Sequence, residues 1–195
     1  MRSMIAASNR IVRPLSDLRE RLIDCAAAMV ESGDTDISLR GVARAAGVSA
    51  MAPYRHFPDK AALIGAVASS GFGMLRQALE LADRSAADKD GALIAQGVAY
   101  VAFAGDHSAL FRLMFANPSI ATLAPNCDTD AYSVLANRVA SMVVHDAETA
   151  ALARWSIVHG LAMLMLDARI PSGSERAETV LTLFVLGLNT RQVEV

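Results

Sequence analysis

The sequence predicts an all-α protein from three observations: its alanine content, the spacing of its apolar residues and the lack of strand signals. Alanine, the strongest helix former, accounts for 37 of the 195 residues. Apolar residues recur at steps of three and four along most of the chain, as in amphipathic helices. Alternating segments joined by Asn-Gly or Asp-Gly turns, which are typical of β-hairpins, do not occur. We therefore expect about nine helices and no sheet.

The first three predicted helices are closely spaced near the N-terminus. An apolar stripe that includes Leu18, Leu22 and Met29 predicts the first helix, with Pro14 and Ser16 at its start and Gly33 at its end. Ser38 is a good N-cap for a second helix, which Gly47 can close in the left-handed conformation. Ser49 then offers an N-cap for a short third helix that ends at about His56.

The remaining helices are longer and more apolar. Pro58 suits the first turn of a long helix that ends near Asp83, where Gly71 and Gly73 could permit a bend. The polar stretch 84–91 predicts a break. The helical blocks that follow are predicted at about 92–104, 107–116, 128–144, 147–168 and 174–190.

The overall composition excludes several classes of protein. With 53% hydrophobic residues, 19% charged residues and a net charge of −2, the chain can bury a core and is neither disordered nor uniformly basic. The longest uncharged stretches, among them 61–75 and 91–105, run to 15 residues and are shorter than the roughly 20 residues of a membrane span. Residues 1–13 lack a signal peptide, and Cys25 and Cys127 lie far apart, so we expect a cytoplasmic protein without a membrane anchor.

Charge divides the chain into two predicted domains. Residues 1–60 carry a net charge of +2 and residues 61–195 a net charge of −4. Within 38–60 the basic residues Arg40, Arg44, Arg55 and Lys60 stand against Asp59 alone. This local excess indicates an anionic partner for the N-terminal domain only.

Residues 38–57 have the spacing of a helix-turn-helix motif. Ala43 is small where the second helix must cross the first, Gly47 tolerates the positive φ of the turn, and Val48 can fill the angle between the helices. Ser49, Ala50 and Met51 are small or slender enough to enter a major groove about 12 Å wide. The short pattern Ala-x-x-x-Gly-Val-Ser by itself also fits many ordinary helix pairs.

The segment after the turn makes the pattern more specific. Pro53-Tyr54-Arg55-His56-Phe57-Pro58-Asp59-Lys60, together with residues 39–48, resembles the N-terminal domain of the TetR/AcrR family of transcriptional regulators over about residues 16–65. In the C-terminal half, Trp155 and His159-Gly160 resemble a signature of one subgroup of TetR-like sensor domains. The resemblance implies a helix-turn-helix domain at 1–60 and a ligand-sensing and dimerisation domain at 61–195.

The resemblance also implies roles for individual residues. Tyr54, His56 and Lys60 would contact DNA phosphates, and Arg40 and Arg55 would bind bases or phosphates. The residues implied to face the major groove are Ser49, Ala50, Met51 and Pro53. Phe57 is expected in the core, and Arg19 and Arg21 on a solvated face with phosphate contact as the lesser alternative.

The implied function is transcriptional regulation, most simply repression. The expected partners are a palindromic DNA operator, an unknown small-molecule effector and a second copy of the chain. The alternative is an all-α binding module or enzyme without DNA affinity. No nucleophile, phosphate-loop or zinc-protease motif is present, and His107, His145 and His159 lack ligand spacing on one helix. We therefore predict no catalytic residue, metal or cofactor.

Candidate effector contacts lie in the C-terminal half. Trp155 and His159 share a helix face, and Tyr100 is the best polar candidate for a pocket wall. The apolar candidates are Phe103, Phe111, Met114 and Phe115. Ordinary packing in a core or at a dimer contact explains the same residues, so both interpretations stay open.

The last two helices are the predicted dimer surface. They carry apolar residues at helical spacing beyond what one buried stripe needs. These residues are Ile157, Leu161, Leu164 and Met165 on the first helix and Val180, Leu181, Phe184 and Leu188 on the second. TetR-like proteins pair these helices with those of a second copy in a four-helix bundle, which implies a two-fold symmetric homodimer.

Overall fold

A computed structural model describes residues 18–34, 37–116, 127–142 and 146–191, and it confirms the all-α prediction. The described residues form eight α-helices, one three-residue 3₁₀ helix and no strand. Pro14 and Ser16 lie outside the described residues. The α-helices are α1 Leu18–Glu31, α2 Leu39–Ala45, α3 Lys60–Ser85, α4 Lys89–Asp106, α5 Ser108–Phe115, α6 Cys127–Ala140, α7 Ala147–Leu166 and α8 Ser174–Arg191, and the 3₁₀ helix is Pro53–Arg55 between α2 and α3.

Side-chain caps set the starts of three helices. Ser38 caps α2, as predicted, because its side chain accepts a hydrogen bond from the Gly41 N–H. The expectation that Pro58 opens α3 is wrong, since Asp59 is the N-cap and accepts from the Ala62 N–H at 2.8 Å. Asp88 caps α4 in the same way and starts it three residues before the predicted position. Aspartate therefore decides both boundaries by satisfying free N–H groups of the first turn.

The third helix is much shorter than predicted. The chain forms a turn after α2 and then the 3₁₀ helix, in which the His56 and Phe57 N–H groups both donate to the Pro53 carbonyl at 2.9 Å. Pro53 has no N–H to donate to the Ser49 carbonyl, and the Ala52 N–H takes that carbonyl instead. An α-helical register cannot continue through this position.

The apolar core centres on α4. A continuous cluster of buried residues extends from Leu22 in α1 to Leu181 in α8. A smaller cluster contains Leu93, Val139, Ala151 and Val185. These two clusters fix α4 among α3, α6, α7 and α8.

Two glycines permit close helix contacts. A Cβ atom at Gly97 would lie 2.5 Å from Leu181 Cδ1, and one at Gly71 would lie 2.7 Å from Met114 Sδ. Gly71 therefore brings α5 against α3, and Gly97 brings α8 against α4. Gly73, in contrast, has open space at its Cβ position.

Of the helices in the described part of the chain, only α7 is long and apolar enough to cross a bilayer, with a mean hydropathy of 1.4 over 18 residues. A core helix of a soluble protein meets the same criterion. Here α7 carries Glu148 and Arg154 and packs against α4 and α6.

Candidate nucleic-acid interface and sensor site

The helix-turn-helix region has the local geometry that its sequence predicts. Gly47 has a φ of +69°, which favours glycine, and closes α2. The next N–H, that of Val48, donates back to the Ala43 carbonyl at 3.0 Å. Ala43 is itself only 1% exposed, as the crossing of the two segments requires. Gly41, inside α2, is buried with its Cβ position 3.2 Å from Ser38 Oγ and 3.6 Å from Met29 Cε, so a larger residue would crowd α1 and the cap.

Most predicted DNA-contacting residues lie on one exposed surface around the turn. Met51 is 67% exposed and Tyr54 41% exposed, while His56 is half-buried. The other exposed members are Arg40, Ser49, Ala50, Arg55 and Lys60, and Arg44 adds a further exposed positive charge. Pro53 is buried, against the expectation that it faces the groove, because the 3₁₀ helix turns its ring toward the protein. Phe57 is 2% exposed, as expected of a core residue.

Two arginines of α1 support this surface in a way that the sequence did not predict. Arg21 donates through Nη2 to the Ala46 carbonyl at the end of α2, at 2.8 Å. The guanidinium carbon of Arg19 lies 5.4 Å from the centre of the Phe57 ring, within cation–π range. Both side chains are exposed, as expected of a solvated face, and in addition they tie α1 to the helix-turn-helix segment.

His159 is the centre of an aromatic cluster formed by several predicted effector contacts. Its Nδ1 atom lies 3.0 Å from the Tyr100 hydroxyl. The ring centres of Phe115, Phe111 and Trp155 lie 4.6, 5.7 and 6.3 Å from that of His159. α4, α5 and α7 each contribute to this cluster.

The other two predicted contacts lie elsewhere. Phe103 packs with its ring centre 4.9 Å from that of His107, at the end of α4. Met114 faces α3, where its sulfur occupies the space that Gly71 leaves. Neither has a ring contact with His159 among the described contacts.

A hydrogen-bond network of side chains between α3, α4 and α6 is a feature that the sequence did not predict. The Asp83 carboxylate accepts from Arg138 Nε at 2.7 Å, from Arg138 Nη2 at 2.5 Å and from Gln96 Nε2 at 2.9 Å. The hydrogen bond to Asp83 raises the pKa of Arg138 above its usual value. These residues line a cleft of about 330 Å³, together with Glu80, Arg84, Val134, Asn137 and Ser141.

Arg154 is a second unpredicted feature, a charged residue that is 0% exposed. Its Nη2 donates to the Leu93 carbonyl of α4, but Nε and Nη1 have no hydrogen-bond partner among the residues that the structure describes. Burial lowers the pKa of Arg154 to about 9, which leaves it charged at neutral pH. A sequence signal does exist, since Arg154 interrupts the stripe of Ala151, Val158 and Leu161 at helical spacing.

An ionisable contact joins the C-terminal helices to α1. His107 Nδ1, at the junction of α4 and α5, lies 3.1 Å from the Glu31 carboxylate at the end of α1. α5 also carries Phe111 and Phe115 of the aromatic cluster. A displacement of α5 can therefore reach α1 directly.

The described residues contain no cluster of three or more metal-ligating side chains.

Four exposed leucines lie on the outer faces of the last two helices. Leu152 and Leu164 of α7 are 53% and 45% exposed, and Leu183 and Leu186 of α8 are 66% and 57% exposed. Several predicted dimer contacts instead face inward, namely Leu161, Met165 and Leu181. Phe184 and Leu188 are half-buried against the smaller core cluster. The expectation was wrong for Leu161, Met165 and Leu181, because an apolar helix has two sides and spacing alone does not say which side faces the core; for Phe184 and Leu188 it stays a prediction.

Comparison with known proteins gives the family of this chain. Residues 22–67 match the family described as bacterial regulatory proteins, tetR family, and residues 93–186 match the tetracyclin repressor-like C-terminal domain. The chain is a member of the TetR family. TetR-family proteins are DNA-binding transcriptional regulators, and this chain is therefore one as well. The resemblance inferred from residues 16–65 is confirmed.

Solved structures of similar proteins share the whole fold. A Rhodococcus sp. RHA1 protein of unknown function is 30% identical with a TM-score of 0.79, covering 93% of this chain and 99% of its own. A transcriptional regulator from the same organism is 25% identical with a TM-score of 0.68, covering 87% and 95%. The TetR-family regulator PfmR from Thermus thermophilus is 20% identical with a TM-score of 0.60, covering 88% and 97%. No curated protein matches the sequence of this chain.

Proposed function

We propose that this TetR-family regulator is a cytoplasmic, homodimeric repressor that leaves its operator when a small molecule binds the sensor half. The observation that carries the proposal is the exposed basic surface around the Gly47 turn, joined through Glu31 and His107 to a helix that lines an aromatic cluster. TetR-family proteins bind operator DNA and effectors and act as dimers. We assign this chain the same general cycle, with its own residues in each role.

DNA contact is assigned to the exposed surface in two parts. Tyr54, His56 and Lys60 position the protein on phosphates, and the amide groups at the start of α3 support Lys60 there. Met51 and Ala50 contact thymine methyl groups. Arg40 and Arg55 are the candidates for bidentate contact with guanine or for further phosphate contact. Because the surface offers few polar base readers, the shape of the DNA contributes to its specificity.

The second copy is assigned to the exposed leucines of α7 and α8. Leu152, Leu164, Leu183 and Leu186 are apolar and exposed in the single chain, and burial of such side chains drives association. A two-fold axis through these helices would set two helix-turn-helix segments about one DNA turn, or roughly 34 Å, apart. The operator is therefore expected to be palindromic.

Effector binding is assigned to the aromatic cluster around His159. A ligand that inserts beside Tyr100, Phe111 and Trp155 would displace α5, because Phe111 and Phe115 belong to that helix. The movement reaches α1 through the contact between His107 and Glu31. The equilibrium then shifts toward dimers whose turn segments no longer fit successive major grooves.

Mobility shift with DNA fragments from around the chain's own gene tests this function. The purified protein should select a palindromic fragment, and log affinity should fall linearly with log salt concentration. Lys60→Ala should weaken binding to all duplexes alike and reduce the salt slope by about 2, since a dimer loses two phosphate contacts. Tyr54→Phe should also weaken all duplexes alike. Met51→Ala should change the preference among half-sites more than the overall affinity.

Lys89→Ala is the matched control, because Lys89 is exposed at the start of α4 and donates to the Ser141 carbonyl. It should leave affinity and salt slope unchanged. Failure to select any sequence from a random library, or affinity that does not respond to salt, would refute the proposed function.

A further inference from the structure

The segment between α2 and α3 carries most of the predicted DNA contacts, and side chains set its position relative to α1. We call residues 46–57 the reading segment. Among the described backbone hydrogen bonds, its N–H groups donate only to carbonyl groups of α2 and of the segment itself. Pro53 and Phe57 are buried and anchor it by apolar contact. Any polar contact from α1 to this segment therefore bears directly on where the DNA surface lies.

Arg21 of α1 holds the start of the reading segment. Its Nη2 donates to the Ala46 carbonyl at 2.8 Å. Ala46 is the C-cap of α2, and the last carbonyl groups of a helix lack a partner within that helix. A charged donor makes such a bond stronger than one between neutral groups. Gly47 follows with the positive φ that turns the chain, so Arg21 fixes the point at which the segment leaves α2.

Arg19 of α1 contacts the other end of the reading segment. Its guanidinium carbon lies 5.4 Å from the centre of the Phe57 ring, where the attraction between a cation and an aromatic face operates. Phe57 is 2% exposed, so the ring that Arg19 covers is fixed in the core. The residues between the two contacts include Met51 and Tyr54, which are exposed. Two arginines in the first turn of α1 thus hold the exposed part of the segment from both ends.

We propose that Arg19 and Arg21 are positioning residues for operator recognition, which hold the reading segment against α1 and do not contact DNA. Recognition groups must be held within about 0.5 Å of their productive geometry. A protein whose binding-competent state is only partly populated loses affinity in proportion. The inference rests on the proposed function in one respect, namely that this surface contacts an operator. It extends that function by naming two residues that set specificity from behind the DNA surface.

Phosphate contact is the alternative role for these exposed arginines, and it predicts a different result. Phosphates carry no sequence information, so the loss of a phosphate contact weakens binding to every duplex and lowers the salt slope. The loss of a positioning contact weakens binding to the operator alone, because non-specific complexes depend mainly on charge. A contact that serves only stability changes neither affinity while the protein is folded.

Mobility shift with two duplexes of equal length separates these roles. One is the palindromic operator that the wild type selects from a random library, and the other has the same base composition in scrambled order. Arg21→Met should weaken operator binding roughly tenfold, change binding to the scrambled duplex by less than about twofold and leave the salt slope unchanged. Arg19→Met should weaken operator binding about two- to fivefold. Circular dichroism at the assay temperature establishes that each variant is folded.

Two further variants complete the set. Arg21→Lys keeps a charged donor on a long side chain and should restore most of the operator affinity that Arg21→Met loses. Arg84→Met is the matched control, because Arg84 is exposed at the end of α3 opposite Lys60 and forms an exposed ion pair with Glu80. It removes the same charge and should bind both duplexes as the wild type does.

Nuclear magnetic relaxation of backbone amides tests the positioning without DNA. In the wild type the amides of Val48 and Met51 should have order parameters near about 0.85, the value of a rigid backbone. Arg21→Met should lower them toward about 0.6, while the amides of α3 keep their wild-type values. The measurement reports on the folded protein, so a lower unfolding temperature does not affect it.

The outcomes separate this inference from the proposed function. It is overturned if Arg21→Met binds the operator as tightly as the wild type, if it weakens both duplexes alike with a salt slope reduced by about 2, or if the order parameters of the reading segment do not change. If the wild type selects no operator, the proposed function fails. The relaxation measurement then decides by itself whether α1 holds the segment in place.

Discussion

Gly97 is the position where a single added carbon should most clearly test the packing of the sensor half. In the structure, a Cβ atom there would lie 2.5 and 2.9 Å from the two Cδ atoms of Leu181 and 3.2 Å from Val158 Cγ1. Leu181 and Val158 are both 0% exposed, so neither can swing into solvent. Gly97→Ala should therefore force α4 away from α7 and α8.

The magnitude follows from a comparison with Gly73. Both glycines lie inside long helices, so alanine gains about 1 kcal/mol of helix propensity at either position. Gly73 has no atom within 4 Å of its Cβ position, and Gly73→Ala should be stabilising by roughly that amount. At Gly97 an overpacking cost of about 1–3 kcal/mol opposes the gain. The two variants should thus differ in free energy of unfolding by about 1–3 kcal/mol, with Gly97→Ala the less stable.

Thermal unfolding at one fixed protein concentration is the assay, since dimerisation makes the midpoint depend on concentration. For a chain of this size the difference corresponds to about 2–12 °C. Leu181→Ala provides a second check, because its cost should be about 1–3 kcal/mol smaller in the Gly97→Ala background, where it relieves the clash. Equal stability of Gly97→Ala and Gly73→Ala would show that α4 and α8 do not meet as closely as the structure places them.

Three further predictions concern contacts away from Gly97. Arg21→Met should lower the free energy of unfolding by about 1–3 kcal/mol, since it leaves the Ala46 carbonyl without its charged donor. Arg40→Met, on the exposed surface around the turn, should change it by less than about 0.5 kcal/mol. Thermal unfolding measures both. Asp83→Asn should lower the free energy of unfolding by about 1–3 kcal/mol because Arg138 and Gln96 lose a shared carboxylate. Glu80→Gln, which changes an exposed ion pair, should lower it by under about 1 kcal/mol in the same assay. Leu183→Asp should be a folded monomer in light scattering and should not bind the operator in mobility shift. Leu81→Asp, which changes a similarly exposed leucine on α3, should stay dimeric. A dimeric Leu183→Asp protein would contradict the assigned interface.

The sequence by itself determined the features that depend on near neighbours along the chain. Ser38, Ala43 and Gly47 fixed the second helix and its turn, because capping and positive φ are properties of one or two residues. Apolar residues at steps of three and four predicted the all-α class, because this pattern also depends only on residues near one another along the chain. The Tyr54, His56 and Lys60 pattern was specific enough to give the family.

Tertiary structure decided the features that depend on residues distant along the chain. Arg154 belongs to an apolar stripe, but only the approach of α4 makes it a buried cation with a single partner. Arg21 is exposed, as its sequence position predicts, but only the packing of α1 against α2 brings it within hydrogen-bond distance of the Ala46 carbonyl. The leucines of α7 and α8 divided into a core face and an outer face according to where α4 lies. Helical spacing repeats about every 3.6 residues and shows which residues share a face, whereas burial and pairing are set by the helices that pack on that face.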